Sequence, residues 1–586
     1  MEKGQPALHI QYSEIETRLT KPGSCFEVMV EDIDGQPMRS WKYAQPSLRS
    51  VLESTQAYGD RTFLELDGLQ MSYDSHLVAA TAFGCSLFED FDIGIGDRVA
   101  IAMRNCPEWS VAFFGAAAVG AVIVSLNAWW TGEELLYGIA DAGVKVLVVD
   151  RERWNRLMPE IDRLRTIGVE RIFLVDPDAQ SEVDQSDIEI LADFNVFLER
   201  PDQDSHSQPL SLPAIDLSSQ DLATIFYTSG TTSRPKGVLG THGNICSNMM
   251  TRQFARAVRR EALSGASETG VDVDGDVYLL TAPLFHAMGC HSALLGTIAC
   301  GGTLLLMHKW DADKALTLIE SRHVTTFGGA PTMIRQIIDA LENRQADLGS
   351  LRELLVGGAP LSRALVSHTK DALPDVVLEN GYGMTEASST ISFISGSDCE
   401  NNPESVGPPI PVSDVKVIGP DGSDLPWGES GELCIRGPGV ALGYWREPKA
   451  TEAVFGGGWL RTGDIAVIDK NGRINLIDRV KDVIIRGGEN ISSVEVEGRL
   501  LEHPSVLDAA VIAVPDLVLG ERVGAIVVLR QSMDATGDEL SQFLSERMAR
   551  FKVPDRYWFR EGELPRGQSG KILKRSLRDE LGLDDL

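Results

Sequence analysis

Positive charge is scarce in this chain: 54 lysines and arginines stand against 85 aspartates and glutamates, a formal net charge of −31. Nonspecific binding to nucleic acid or to an anionic membrane surface needs clustered cations that neutralise phosphates, so neither is an expected partner. Small anions such as nucleotides are not excluded, because physiological salt screens the overall field within about 8 Å and a few local cations decide. Cysteines number only eight and are scattered, with no Cys-x-x-Cys pair and no Cys/His cluster at zinc spacing. That excludes a disulfide scaffold and a structural zinc site and points to reduced, packed thiols. Residues 1–21 lack the apolar stretch of a signal peptide. The longest apolar run, 111–124, falls short of the roughly 20 residues that a spanning helix needs. Glu108 before it and Gly120 within it predict instead a buried helix, a turn and a buried strand. No integral membrane segment and a cytoplasmic location are expected.

Internal repeats and biased tracts are also missing, and 43% hydrophobic with 24% charged residues is an ordinary globular composition. A chain of 586 residues exceeds what one core supports, so two or more domains are expected. Short β-branched runs at 98–102, 144–149, 171–175, 303–307 and 324–327 alternate with helical patterns such as 151–165, interrupted at Pro159, and 313–321. This alternation predicts parallel sheets covered by helices. Segments 176–220 and 264–276 are polar and aperiodic and read as surface excursions. From Gly407 the texture shifts to short strands broken by Gly and Pro, and after 478–482 a mixed module of strands 506–514 and 522–529 and helix 538–548 follows.

The most informative segment is Tyr227-Thr228-Ser229-Gly230-Thr231-Thr232-Ser233-Arg234-Pro235-Lys236-Gly237, placed after the strand signal 223–226. Glycine lets backbone N–H groups approach an anion, hydroxyls donate to phosphate oxygens and Lys236 supplies charge, which together make a phosphate cradle. It is not a Walker A loop, since Pro235 and Gly237 stand where that motif needs Gly and Ser/Thr. The loop resembles the phosphate-binding signature of the adenylate-forming superfamily of acyl-CoA synthetases, luciferases and peptide-synthetase adenylation domains. Ser233 departs from the usual glycine of that signature.

The resemblance recurs in order along the chain. Gly357-Gly358-Ala359-Pro360 is similar to the turn beside adenine, and Asn380 with Gly381-Tyr382-Gly383-Met384-Thr385-Glu386 to the motif that stacks the base, touches the α-phosphate and holds magnesium. Residue chemistry agrees: Tyr382 offers a flat face, Thr385 a hydroxyl and Glu386 a hard oxygen ligand for Mg²⁺. Asp464, in Leu460-Arg461-Thr462-Gly463-Asp464, and Arg479 match the ribose-binding aspartate and its supporting arginine. Lys481 matches the hinge, Gly487-Gly488-Glu489 the turn facing the CoA pantetheine, and Lys571, in Pro565-Arg566-Gly567-Gln568-Ser569-Gly570-Lys571, the mobile lysine of adenylation. His286, in Pro283-Leu284-Phe285-His286, resembles a histidine lining the acyl site, and Gly328 and Gly329 a strand end bordering it.

The resemblance covers nearly the whole chain from 48 to 573. It implies an α/β fold: a large N-terminal domain of helix-covered sheets with a β-rich subdomain, residues 48–480, then a smaller mobile α+β C-terminal lid, 481–586, with 1–47 as an extension. The implied reaction joins a carboxylic acid to CoA through an acyl-AMP, with ATP, Mg²⁺ and CoA required. Two residues without side chains, Gly328 and Gly329, leave room for a long tail, so a medium- or long-chain fatty acid is expected, an aryl or alicyclic acid being the runner-up. No carrier-protein module is expected after Leu586, although a separate carrier protein remains an alternative acceptor, and a homodimer is compatible with the sequence.

Overall fold

Buried strands with no polar face set the scaffold, as in Val122–Ser125 and Val146–Asp150, where the apolar run is continuous because both faces are covered. The structure, a computed structural model, describes residues 12–33, 35–175, 190–198, 211–228, 234–264, 275–359, 361–487, 489–567 and 571–583. Among these residues the strands form five sheets.

The seven-stranded sheet runs Lys236–Thr241, Leu222–Thr228, Val122–Ser125, Arg98–Ala102, Val146–Asp150, Arg171–Val175, Leu191–Asp193, and only its first strand is antiparallel to its neighbour. The eight-stranded sheet has a parallel centre, Val377–Met384, Glu353–Val356, Thr326–Gly329, Val277–Leu280, Thr303–Leu306 and Thr62–Leu66. Helices Tyr73–Phe91 and Pro107–Ala118 lie between these sheets in one continuous core that includes Phe83, Trp109, Phe113 and Leu280. Because ligands of open parallel sheets bind outside the carboxyl ends of the strands, the ends at Gly329, Val356 and Met384 mark the crevice to inspect.

A six-stranded antiparallel sheet spans Ser405–Gly407 to Ile474–Arg479, as the β-rich texture after Gly407 predicts. The last sheet, built from Ile484–Arg486, Glu489–Ile491, Val506–Asp516, Gly520–Leu529 and Arg556–Arg560, carries its own core around Ile484, Val496, Leu500, Val511 and Leu544.

The apolar run 111–124 is a helix that opens on Pro107, a turn at Gly120 with φ of +77°, and a buried strand. Proline suits a first helical turn, whose N–H has no intrahelical partner. No helix among the described residues is long and apolar enough to cross a membrane. The extension contributes helix Tyr12–Thr20 and hairpin 28–41, which bury Ile15, Phe26 and Trp41 against Phe254 of helix His242–Ser264 and against Phe393 and Ile410. It is therefore packed on the body. The excursions at 176–189, 199–210 and 265–274 lie outside the described residues.

Candidate active site

Two antiparallel strands place the first pair of charges. Asp464, on Leu460–Ile468, stands opposite Arg479, the last residue of Ile474–Arg479, and the guanidinium Nε is 3.3 Å from the carboxylate. Tyr382, near the carboxyl end of Val377–Met384, donates its hydroxyl to the other carboxylate oxygen at 2.6 Å. Burial and the neighbouring Asp464 charge hold the Tyr382 phenol well above its ordinary range, so it is a fixed donor. Thr462 fixes the irregular stretch of this strand, accepting from the Asp464 N–H at 3.1 Å and donating to the Leu433 carbonyl at 2.8 Å.

Lys571 joins this cluster from the far end of the chain. Burial first, then the positive charges of Arg479 and Lys481, depress its ammonium pKa to about 8, against the opposing pull of Asp464 and Asp482. A lysine so placed keeps its charge near neutral pH yet gives it up readily.

Glu386 lies in the turn after Tyr382 and is 8% exposed. Burial raises its carboxyl, opposed by a 2.9 Å hydrogen bond donated by Tyr444 and by the Arg479 charge. Tyr444 is pinned by a bridge to Val238 and carries the Lys236 ammonium 5.2 Å from its ring centre. The flank of the hydroxyl loop is thereby linked to Glu386, and Glu386 feels Arg479 and Asp464. Thr228 pairs with Lys236 across the base of the loop. Ser229, Gly230, Thr231 and Thr232 lie outside the described residues, as do Pro360 and Gly488. Tyr444 was not singled out in the sequence; the Gly443-Tyr444-Trp445 triplet is the signal that could have found it.

The remaining positions divide. Gly358 has φ of +79° in an exposed turn beside the half-buried Ala359, and a side chain at Gly357 would stand 3.6 Å from the Met288 sulfur. This brings the His286 segment to the same strand ends. His286 is half-buried with its ring 4.8 Å from Phe285, which meets the exposed Trp129 edge-on at 5.2 Å. Thr385 and Met384 are half-buried beside Glu386, and Gly381 precedes Tyr382. Two of the expected nucleotide contacts have structural duties as well. Asn380 is buried and its amide donates to the Ser405 carbonyl at 3.0 Å. Gly383 is glycine because any Cβ there would overlap the Ser389 carbonyl of the antiparallel neighbour.

The room expected at Gly328 is filled. A Cβ at that position would overlap the hydroxyl of Tyr278, which rises from the adjacent strand, and one at Gly329 would lie 3.1 Å from the Met333 sulfur and 3.3 Å from the Thr281 hydroxyl. Gly328 therefore accommodates a tyrosine of this chain, and its missing side chain opens no room of its own for a long tail.

Lys481 occupies the exposed turn between Ile474–Arg479 and Ile484–Arg486. Gly487, with φ of +59°, and the exposed Glu489 belong to the next hairpin, where the Gly487 N–H donates to Leu519 at 2.7 Å. Their strand partners among the described residues lie in their own sheet.

Residues 51–445 match the AMP-binding enzyme family and 495–571 match the AMP-binding enzyme C-terminal domain. The long-chain-fatty-acid–CoA ligase of Bacillus subtilis (strain 168) is 32% identical over 553 residues, 91% of this chain and 94% of that protein. A feruloyl-CoA synthase of Amycolatopsis sp is 36% identical over 490 residues, 83% of this chain and 89% of that one. Among solved structures, an anthranilate CoA ligase in complex with anthranoyl-AMP superposes with a TM-score of 0.79 at 27% identity, over 92% of this chain and 98% of that chain. The chain belongs to the AMP-binding enzyme family and is an adenylate-forming acyl-CoA ligase, an acid–thiol ligase.

Proposed function

We propose that the enzyme activates a hydrophobic carboxylic acid as its acyl-AMP and then passes the acyl group to the CoA thiol at the same site. The observation that carries this reading is the convergence of Tyr382, Glu386, Asp464, Arg479 and Lys571 within one electrostatic cluster. Asp464 accepts from the ribose hydroxyls with Arg479 behind it, and each such bond to a charged group contributes roughly 1.5–3 kcal/mol. The Tyr382 ring lies along the base. Gly358 and Ala359 border adenine, while Thr228, Thr385, Lys236 and the hydroxyl loop receive phosphates.

In the first half-reaction a substrate carboxylate oxygen bonds to the α-phosphorus in line as the bond to the departing pyrophosphate breaks. Lys571 holds both negative groups together and offsets their charge, a contribution of the oxyanion-hole kind worth about 3 kcal/mol. Among the described residues no group of three His, Cys, Asp or Glu could hold a metal. A single buried carboxylate does suit Mg²⁺, which binds through one or two carboxylates plus substrate phosphates; Glu386 would hold it, and it would neutralise charge on the leaving pyrophosphate. In the second half-reaction the segment after Lys481, residues 481–586, rotates as a lid, withdraws Lys571 and presents 487–489 to the pantetheine. The thiol sulfur attacks the acyl carbon, AMP leaves with its carboxyl-derived oxygen, and the thiol proton passes to solvent.

For the acid, the occupied space above Gly328 favours a compact aryl substrate, in keeping with the feruloyl-CoA synthase at 36% identity. A fatty acid is the second reading, favoured by the longer alignment with the Bacillus subtilis ligase, 91% of this chain. Turnover with ATP and CoA on benzoate, ferulate, octanoate and palmitate, followed as AMP and acyl-CoA, tests both. ADP as the nucleotide product would refute adenylation, acyl-AMP formed without any CoA thioester would point to a separate carrier protein as acceptor, and preference for palmitate would refute the compact acid.

A further inference from the structure

Behind the cluster just described, the buried Asp478 and the half-buried Lys574 and Glu497 form a bridge that the reaction chemistry does not use. Asp478 precedes Arg479 and is 6% exposed. One of its carboxylate oxygens accepts from the backbone N–H of Ser493 at 2.5 Å and from the Ser493 hydroxyl at 2.7 Å, while the other accepts from the Arg479 N–H at 2.7 Å. Ser493 is fully buried at the start of helix Ser493–Leu501, and the preceding Ser492 donates to the Ile477 carbonyl at 2.6 Å. The Lys574 ammonium reaches the Ser493 hydroxyl at 2.5 Å and Glu497 at 2.8 Å. Glu497 in turn accepts from the Val511 N–H at 2.8 Å.

Lys574 opens helix Lys574–Glu580, three residues after Lys571. The hairpin carrying Lys571 is closed at its base by the Gly567 N–H on the Lys571 carbonyl at 2.7 Å and the Leu573 N–H on the Pro565 carbonyl at 2.8 Å. A continuous path therefore leads from Lys571 through Lys574 and Ser493 to Asp478, and on through Arg479 to Asp464. Buried ion pairs are weak sources of stability because desolvation offsets the attraction, but they do fix one arrangement against others. Here the arrangement fixed is that of the Lys571 segment over Asp464. Asp478 lies before Lys481 in the chain and Ser493 and Lys574 after it, so rotation at Lys481 has to break the Asp478–Ser493 contacts.

We propose that Lys574 and Ser493 are positioning residues for Lys571: their bridge to Asp478 holds the segment that inserts Lys571 during adenylation and releases it for thioester formation. This rests on the two-step reading above. The test uses the full-length enzyme with Lys574→Met and the milder Ser493→Ala. Two rates are read: acid-dependent ATP–pyrophosphate exchange, and thioester formation from CoA and presynthesised acyl-AMP. Exchange should fall by about tenfold to a hundredfold, the scale of misplacing a reacting group by about 1 Å, while thioester formation is retained or rises. Lys574→Arg should recover part of the exchange rate. Equal loss in both half-reactions, or a folded Lys574→Met enzyme with unchanged exchange, would overturn the positioning role. Absence of exchange in the unmodified enzyme with every acid would instead refute the two-step reading itself.

Discussion

The Tyr382 hydroxyl donates to Asp464 at 2.6 Å, joining the tyrosine proposed to stack the base to the aspartate proposed to hold the ribose, across two sheets. The consequence is that Asp464 is oriented before any nucleotide arrives. Tyr382→Phe keeps the ring and removes that restraint, so the KM for ATP should rise about tenfold, matching the roughly 1.5 kcal/mol at the low end for a bond to a charged group. Asp464→Ala should raise it by well over tenfold. An unchanged KM in Tyr382→Phe would mean that the hydroxyl serves only packing.

Lys571 gives the reaction an alkaline limb. Its ammonium is the working form, and in the free enzyme burial and the Arg479 charge lower its pKa to about 8. As pH rises through that value the proton is lost, so kcat/KM for ATP, which reports the free enzyme, should fall about tenfold per unit above pH 8. Bound phosphates favour the ammonium, so the limb in kcat should lie at higher pH. Lys571→Arg should remove the limb while lowering the rate. A limb that persists in Lys571→Arg would assign it to another group.

Much of this cluster was legible in the sequence because its residues sit close together along the chain: Thr385 and Glu386 follow Tyr382 within four residues, and Thr462, Gly463 and Asp464 are consecutive in one irregular stretch of strand. What was not legible depends on strand pairing between distant segments. Tyr444 meets Glu386 only because Val238 bridges to Tyr444. The strand expected at 324–327 runs as Thr326–Gly329 because His323, at φ of 50°, is still capping the preceding helix. A glycine's missing side chain, likewise, does not reveal what fills the space, and at Gly328 the occupant comes from the neighbouring strand.

Tyr444 links Glu386, the proposed magnesium ligand, to the flank of the hydroxyl loop, and its hydrogen bond holds the Glu386 carboxyl lower than burial alone would leave it. Tyr444→Phe should therefore shift the acid limb of pyrophosphate exchange to higher pH, since Glu386 must be ionised to bind a cation. The Mg²⁺ concentration for half-maximal exchange should rise about tenfold, from one lost bond to a charged group. If both quantities stay put, Glu386 is not the magnesium ligand.

The Tyr278–Gly328 pair carries the proposed preference for a compact acid. Tyr278 is half-buried, its phenol pKa pushed up to about 12 chiefly by desolvation, and behind it Arg252 and Arg259 are paired with Glu353 and Glu379. Gly328→Ala puts a methyl group into the tyrosine hydroxyl and should destabilise by about 1–3 kcal/mol, as overpacking does, read as a lower midpoint in denaturant. Tyr278→Ala leaves a cavity and should also destabilise, by about 3 kcal/mol or more. Combined, each change relieves the other, because the alanine methyl enters space the ring has vacated. The double variant should be more stable than the sum of the single effects, a coupling of at least about 1 kcal/mol for residues in contact. The same single variant tests selectivity: with the ring removed, Tyr278→Ala should gain activity on octanoate relative to benzoate. Additive stabilities would show that the two residues do not share that space, and an unchanged substrate preference would place the acyl group elsewhere.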